Sequence, residues 1–308
     1  MSSALILGGG ARGAGEAALA LGLPIVTTVN GKGVVDERHP LSLGASIRLR
    51  CVQRWLETRD TVIAVGTELG ESDLWGPPPK LRHLIRVDID PGQLDKNVTA
   101  AERIEGDARE VLEGMRAEPG EHDLTGIKAE IDAEARRDGA RWIPLMEVLD
   151  DVLGEDGILA ADSTQAAYYG AVHFLPMDAR RRFLYPTGYA TLGYALPAAI
   201  GAKLAAPDRR TIALIGDGGL LFTVAELATA AQLKLPLPVI VPNNRGYGEI
   251  RDQMIEQGIE PVGVDLDPPD LPMLAEALGG TGIRTDDPRS ALETALTRPG
   301  PTVVEIPA

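Results

Sequence analysis

Asp217, in the string Gly216-Asp217-Gly218-Gly219, and Asn244, in the pair Asn243-Asn244, are the residues of this sequence best suited to ligand chemistry. A carboxylate, an amide oxygen and a nearby backbone carbonyl are hard oxygen donors, the kind that hold Mg2+ or Ca2+. The stretch between them has no Cys or His that would suit zinc. The glycines allow the close backbone approach and unusual dihedrals of a turn that cradles phosphate. A helix following Gly219 would add free N–H groups and a positive dipole end for an anion. The chemistry these types suggest is a divalent ion tying a diphosphate to the protein. Taken singly, Gly-Asp-Gly and Asn-Asn are also ordinary turn signals between strands and helices.

For the motifs to act together, the intervening chain must bring them to one place. Residues 211–215 form an apolar run that reads as a buried strand ending at Gly216, residues 223–234 read as an amphipathic helix, and residues 237–241 read as a second buried strand ending at Asn243. In a parallel sheet both motifs then lie at the carboxyl ends of neighbouring strands, the edge where such sheets bind ligands.

The remaining chain alternates in the same way. A strand at 4–7 runs into Gly8-Gly9-Gly10-Ala11-Arg12-Gly13, formally GxGxxG. The next strand, 24–29, ends at Asn30-Gly31-Lys32-Gly33 without the acid that would hold a ribose, so the dinucleotide reading lacks its partner residue. A helix at 46–57, strands at 61–65 and 84–88 and a helix at 107–115 complete a first α/β unit. Polar, charged residues 119–141 read as a linker. A second unit follows with a helix at 144–153, a strand at 157–161 ending at Asp162-Ser163-Thr164-Gln165, an irregular segment at 173–186, and an Ala- and Gly-rich helix within 187–205. Helices near 248–257, 268–279 and 288–297 and strands at 281–284 and 302–306 close the sheet. The expected fold class is α/β, with two doubly wound parallel-sheet domains at 1–118 and 142–308.

The 308 residues carry a net charge of −15, and the largest basic cluster is Arg180-Arg181-Arg182, which argues against a nucleic-acid partner. The same charge would repel an anionic cofactor unless a metal and oriented backbone dipoles intervene. No apolar run approaches the roughly 18–20 residues of a membrane span, and no basic segment leads into a signal core, so a cytoplasmic protein without a membrane partner is expected. The single Cys51 excludes an intrachain disulfide and reads as a small buried apolar residue.

At their spacing the two motifs resemble the thiamin diphosphate motif of the acetolactate synthase and 2-oxoacid decarboxylase family, in which GDG and NN flank a helix and a strand. TGYATLGYALPAAIGAKLA at 187–205 is similar to the family's GLGTMGFGLPAAIGA segment. TTVNGKG at 27–33, IAVGTEL at 63–69 and VDIDPGQLDKN at 87–97 are similar to its middle domain. The resemblance implies Mg2+ held by Asp217, the Asn244 side chain and the Gly246 carbonyl. It places thiamin diphosphate against Ser163, Thr164, Gly216, Gly218, Gly219, Asn244, Gly246 and Tyr247. The Ala190 carbonyl would accept a hydrogen bond from the aminopyrimidine, and Leu192 would be the apolar wedge that forces the cofactor into its V shape. In the middle domain the resemblance allows FAD or another nucleotide without requiring one. YGEIRDQMIEQGIEPVGVDL at 247–266 is similar to members that decarboxylate the 2-oxoacid derived from arginine, which would set Glu249, Asp252 or Asp265 against a guanidinium.

Family enzymes also carry an N-terminal pyrimidine-binding domain with an activating glutamate, whereas Ala4 already falls in the middle domain. The expectation is therefore a split enzyme. A separate chain would contribute the pyrimidine domain, in a homo- or hetero-oligomer acting on a 2-oxoacid as a decarboxylase or an acetolactate synthase-like lyase or transferase. One alternative is a binding or regulatory module, or a truncated fragment, that keeps diphosphate binding without turnover. Another is a nucleotide-binding dehydrogenase using the N-terminal glycines.

Overall fold

The computed structural model describes residues 2–117 and 120–308, so the first domain boundary expected, between 118 and 119, lies outside the described residues. The chain forms two compact units. The first holds the residues up to Ala140 together with Pro176–Arg180, and the second holds Arg141–Leu175 with Arg181–Ala308.

The first unit runs β1 Ser3–Leu7, α1 Gly15–Ala20, β2 Ile25–Thr27, α2 Arg50–Glu57, β3 Thr61–Val65, α3 Glu71–Leu74, β4 Leu84–Asp88, β5 Glu102–Glu105, α4 Ala108–Gly114 and α5 Thr125–Gly139. Its five strands are all parallel, in the order β2-β1-β3-β4-β5. Helices cover both faces of such a sheet, so the inner strands are continuous apolar runs; Leu5, Leu7, Ile25, Val65 and Leu112 meet in its core. α5, in the stretch read as a linker, belongs to this unit, and Glu134 on it accepts from the backbone N–H groups of Arg50 (2.7 Å) and Cys51 (2.9 Å), capping α2.

The glycine loop after β1 is closed by backbone. Gly8 N–H donates to the Val65 carbonyl and Gly10 N–H to that of Gly66, both at 2.9 Å. Gly66 has φ +59°, and a Cβ on it would lie 2.5 Å from the Gly10 carbonyl carbon. Two amides that a pyrophosphate would need are thus spent on the last residue of β3 and the one after it.

The second unit runs α6 Ile143–Leu153, β6 Ile158–Ala161, a π-helical turn Ala166–Ala171 leading into α7 Val172–Phe174, β7 Arg182–Leu184, α8 Ala195–Ala205, β8 Thr211–Leu214, α9 Asp217–Thr223, α10 Glu226–Gln232, β9 Leu237–Asn243, α11 Gly248–Glu256, α12 Leu271–Ala277, β10 Thr281–Arg284, α13 Pro288–Ala295 and β11 Pro301–Pro307. Its six strands are also all parallel, in the order β10-β11-β9-β8-β6-β7. Both units therefore have the expected doubly wound α/β architecture. Leaving β6, the chain crosses to β7 on one side and then returns to β8 on the other, so the strand order reverses between β6 and β8. Open α/β sheets bind ligands outside such a reversal. The loops after β6, β8 and β9 share that edge.

In the second unit three expectations differ from the structure. The helix expected at 223–234 is two helices, the first starting at Asp217. The helix expected within 187–205 covers only its second half, because Gly188, Ala190 and Gly193 take φ of +99°, +49° and +83°, which no right-handed helix admits. The segment 173–186, read as irregular, contains the edge strand β7. Among the described residues no helix is long and apolar enough to cross a membrane.

One buried acid of the first unit gives a measurable pH dependence. Burial pushes the Asp73 carboxyl up to about 6, and the neighbouring Glu68 carboxylate pushes the same way. Stability from its protonated form is fully present below the ordinary value of 3.8 and is lost as pH rises through about 6. Asp73→Asn should therefore be more stable than wild type by about 1–3 kcal/mol at about pH 8 and lose that advantage at about pH 4, as read by urea denaturation.

Candidate cofactor and metal site

The Gly-Asp-Gly string places its carboxylate at the first turn of a helix. Gly216 is the extended cap, α9 begins at Asp217, and Gly218 and Gly219 are helical rather than preceding the helix. Close packing requires these glycines. A Cβ on Gly218 would lie 2.7 Å from the Tyr247 ring, one on Gly219 would lie 2.4 Å from Asp162 Oδ2, and one on Gly216 would lie 3.3 Å from Thr164 Oγ1. Asp217 is 1 % exposed. Burial raises its carboxyl pKa, while the backbone amides of Asn244, Gly218 and Gly246 act in the opposite direction. The Gly246 N–H donates to Asp217 Oδ2 at 3.0 Å, which fastens the loop after β9 to the start of α9.

The two asparagines divide the work. Asn243 is structural: its side-chain oxygen accepts from Arg245 N–H at 2.9 Å and its Nδ2 donates to Glu305 at 2.8 Å. Asn244 Oδ1 is buried and has no hydrogen-bond donor. A hydrogen bond from Tyr247 N–H to the Val264 carbonyl (2.8 Å) and a β-bridge between Gly246 and Asp265 hold the segment that follows.

A cavity of about 270 Å³ lies over these groups, and every residue that the sequence proposed for the cofactor or metal lines it: Ser163 and Thr164 after β6, Ala190 and Leu192 before α8, Gly216 to Gly219, and Asn244, Gly246 and Tyr247 after β9. It also takes in Trp142, Gln165 and Tyr168, which the sequence reading did not single out. Gln165 was legible only as the last polar residue of a strand end, and Trp142 gave no signal.

The donor set fits a hard divalent cation. It combines a buried carboxylate, an amide oxygen without a donor, and the carbonyl of Gly246 in the same loop. Among the described residues no cluster of three or more His, Cys, Asp or Glu offers an alternative metal site.

Asp162 organises the loop before α8. It is fully buried, and its two carboxylate oxygens accept from Gly193 N–H (2.8 Å) and Tyr194 N–H (3.1 Å). Thr223 Oγ1 donates to the Gly193 carbonyl at 2.9 Å, so the loop carrying Ala190 and Leu192 is tied to both β6 and α9. Of the three acids considered for a guanidinium, Asp265 is paired with Arg251 at 2.9 Å, whereas Glu249 lines the cavity.

Comparison with known proteins agrees with this geometry. Residues 162–306 match the family model described as thiamine pyrophosphate enzyme, C-terminal TPP binding domain, thiamine pyrophosphate being another name for thiamin diphosphate; residues 2–115 match the central domain of the same enzymes. The chain belongs to the thiamine pyrophosphate enzyme family. It is 39 % identical to the probable 2-ketoarginine decarboxylase of Pseudomonas aeruginosa, an alignment covering 98 % of this chain and 57 % of that protein. It is 30 % identical to the acetolactate synthase isozyme 3 large subunit of Escherichia coli, over 94 % of this chain and 55 % of that protein. With the acetolactate synthase large subunit of Mycobacterium tuberculosis the identity is 32 %, over 88 % of this chain and 48 % of that protein. The chain thus spans about half the length of the curated relatives it matches.

Within this family member, Asp162→Asn keeps the shape but exchanges one of the two acceptors for a donor facing a backbone N–H. A loss of about 1–3 kcal/mol in unfolding free energy is expected, together with faster amide exchange at Gly193 and Tyr194. Unchanged exchange at these two amides would show that the carboxylate does not hold the loop.

Proposed function

We propose that this chain is the thiamin diphosphate- and Mg2+-binding part of a 2-oxoacid decarboxylase. The observation that carries this reading is the juxtaposition of the buried Asp217 carboxylate with the donorless Asn244 Oδ1 in one cavity. In the proposal, Asp217, Asn244 Oδ1 and the Gly246 carbonyl hold the ion, which neutralises the diphosphate. Ser163 and Thr164 hold the phosphate end. The Ala190 carbonyl accepts from the aminopyrimidine, and Leu192 supports the ring system. When bound, the cofactor supplies the carbanion and the electron sink for loss of carbon dioxide. The protein's share is to orient it, to exclude water around the reacting carbon, and to neutralise the anionic end.

The name of the Pseudomonas relative favours decarboxylation over carboligation, with 2-ketoarginine as the first substrate to try. About half of each relative has no counterpart in these 308 residues. The reading includes a pyrimidine-binding part with its activating glutamate, carried either by a separate chain or by the same polypeptide. Exposed apolar surface supports a partner here: Tyr189, next to Ala190, is 93 % exposed, and Phe222, packed edge-on against Tyr247, is 61 % exposed.

Calorimetry should show thiamin diphosphate binding that depends on Mg2+, with Asp217→Asn weakening it by about tenfold or more. Equal affinity in the variant would refute the metal assignment. Carbon dioxide release from 2-oxoacids on adding a chain that carries the pyrimidine domain would support the split arrangement, and activity only from a single longer polypeptide would overturn it.

A further inference from the structure

The cavity takes in a second acidic group besides Asp217. Glu249, at the start of α11, lines it beside Trp142, Gln165 and Tyr168. Both Glu249 carboxylate oxygens are held by neutral donors. Tyr169 Oη donates to Oε1 at 3.0 Å, as does Gln253 Nε2 at 3.0 Å, and Gln165 Nε2 reaches Oε2 at 3.3 Å. Gln165 is itself oriented, because its Oε1 accepts from Arg141 at 2.5 Å and its Nε2 also donates to Asp252 at 2.8 Å. The nearest arginine on the same helix, Arg251, is engaged by Asp265 at 2.9 Å and lies 4.0 Å from Asp252. Glu249 therefore has no ion pair among the described residues.

A half-buried carboxylate placed on a cavity wall and fixed only by neutral donors leaves its charge for something that enters the cavity. Tyr168 belongs to the same wall and offers an aromatic ring to a flat cation, whereas the ring of Trp142 already carries the Arg141 guanidinium, 4.6 Å from its centroid. Trp142 adds an independent sign that this wall is incomplete alone: the residue is 5 % exposed, and its Nε1–H is buried without an acceptor.

We propose that Glu249 is the specificity-determining residue of this site, selecting a 2-oxoacid whose side chain ends in a guanidinium, with Gln165 and Tyr169 as the positioning residues that hold its carboxylate. This rests on the thiamin diphosphate reading above. The planar guanidinium presents parallel N–H donors to a carboxylate, which an ammonium or a neutral amide cannot match.

The test uses the full chain saturated with thiamin diphosphate and Mg2+, with two unreactive probes of one shape, guanidinopentanoate and the uncharged ureidopentanoate, titrated by calorimetry. The wild type should bind the guanidino probe about tenfold or more tightly than the ureido probe. Glu249→Gln should abolish that preference by weakening the guanidino probe alone, and retained ureido binding shows that the variant is folded. A wild type that binds the two equally or binds neither, or a Glu249→Gln chain that keeps the preference, overturns the proposal. Cofactor titration separates the two levels: saturable, Mg2+-dependent cofactor binding without discrimination between probes sinks the specificity assignment alone, whereas absence of cofactor binding sinks the reading beneath it.

Discussion

The carboxylate of Asp217 is buried at the end of β8, and its pKa is raised because burial disfavours its charge. Removing such a group from water costs roughly several kcal/mol, and backbone amides offset only part of it. The amides that face it come from Gly218 in the first turn of α9 and from Asn244 and Gly246 in the loop after β9, so holding this charge fixes that loop against the start of α9. Asn244 adds an acceptor without a donor to the same place. Two oxygen acceptors gathered in one buried region, in a chain of net charge −15, are electrostatically unfavourable until a cation joins them. Tying an anionic cofactor through an ion resolves both difficulties together.

Space is the second constraint, and it explains why glycine recurs. Besides the contacts of Gly218 and Gly219, a Cβ on Gly246 would lie 2.3 Å from the Val264 carbonyl oxygen, and one on Gly248 would lie 2.3 Å from Asn244 Nδ2. Asn244 Nδ2 thus sits against Gly248, and Oδ1 is the atom left without a donor. The glycines are thus packing requirements that settle which atoms of the motif stay available.

What was legible in the sequence follows from how each feature is encoded. β3 and β4 match their expected bounds because buried parallel strands are uninterrupted apolar runs. The polar edge strand β5, Glu-Arg-Ile-Glu, carries no such signal, since an edge has one neighbour and much solvent. The convergence of Asp217 and Asn244 was readable from two strand ends at a motif spacing. The part of Asp162 was not, because its partners Gly193 and Tyr194 lie about thirty positions away and are backbone groups with no sequence signature. The adjacent asparagines look equivalent in the sequence, and only the Glu305 contact separates the structural Asn243 from Asn244.

The loop before α8 shows how a local rule gives way at a site. Ala190 has φ +49°, a left-handed conformation that costs an alanine about 1–2 kcal/mol, and the similar family segment GLGTMGFGLPAAIGA has glycine at that position. The strain persists because the ends of the loop are fixed independently: Ala190 N–H donates to the Pro186 carbonyl at 2.9 Å, and Gly193 and Tyr194 are held by the buried Asp162. Such strain is retained where the surroundings over-determine a conformation. An alanine there also narrows the backbone freedom of the loop relative to glycine, so the exposed carbonyl of Ala190 is held in one direction before any ligand arrives. The entropy of ordering that carbonyl is then met at folding, through the burial of Asp162, rather than at binding.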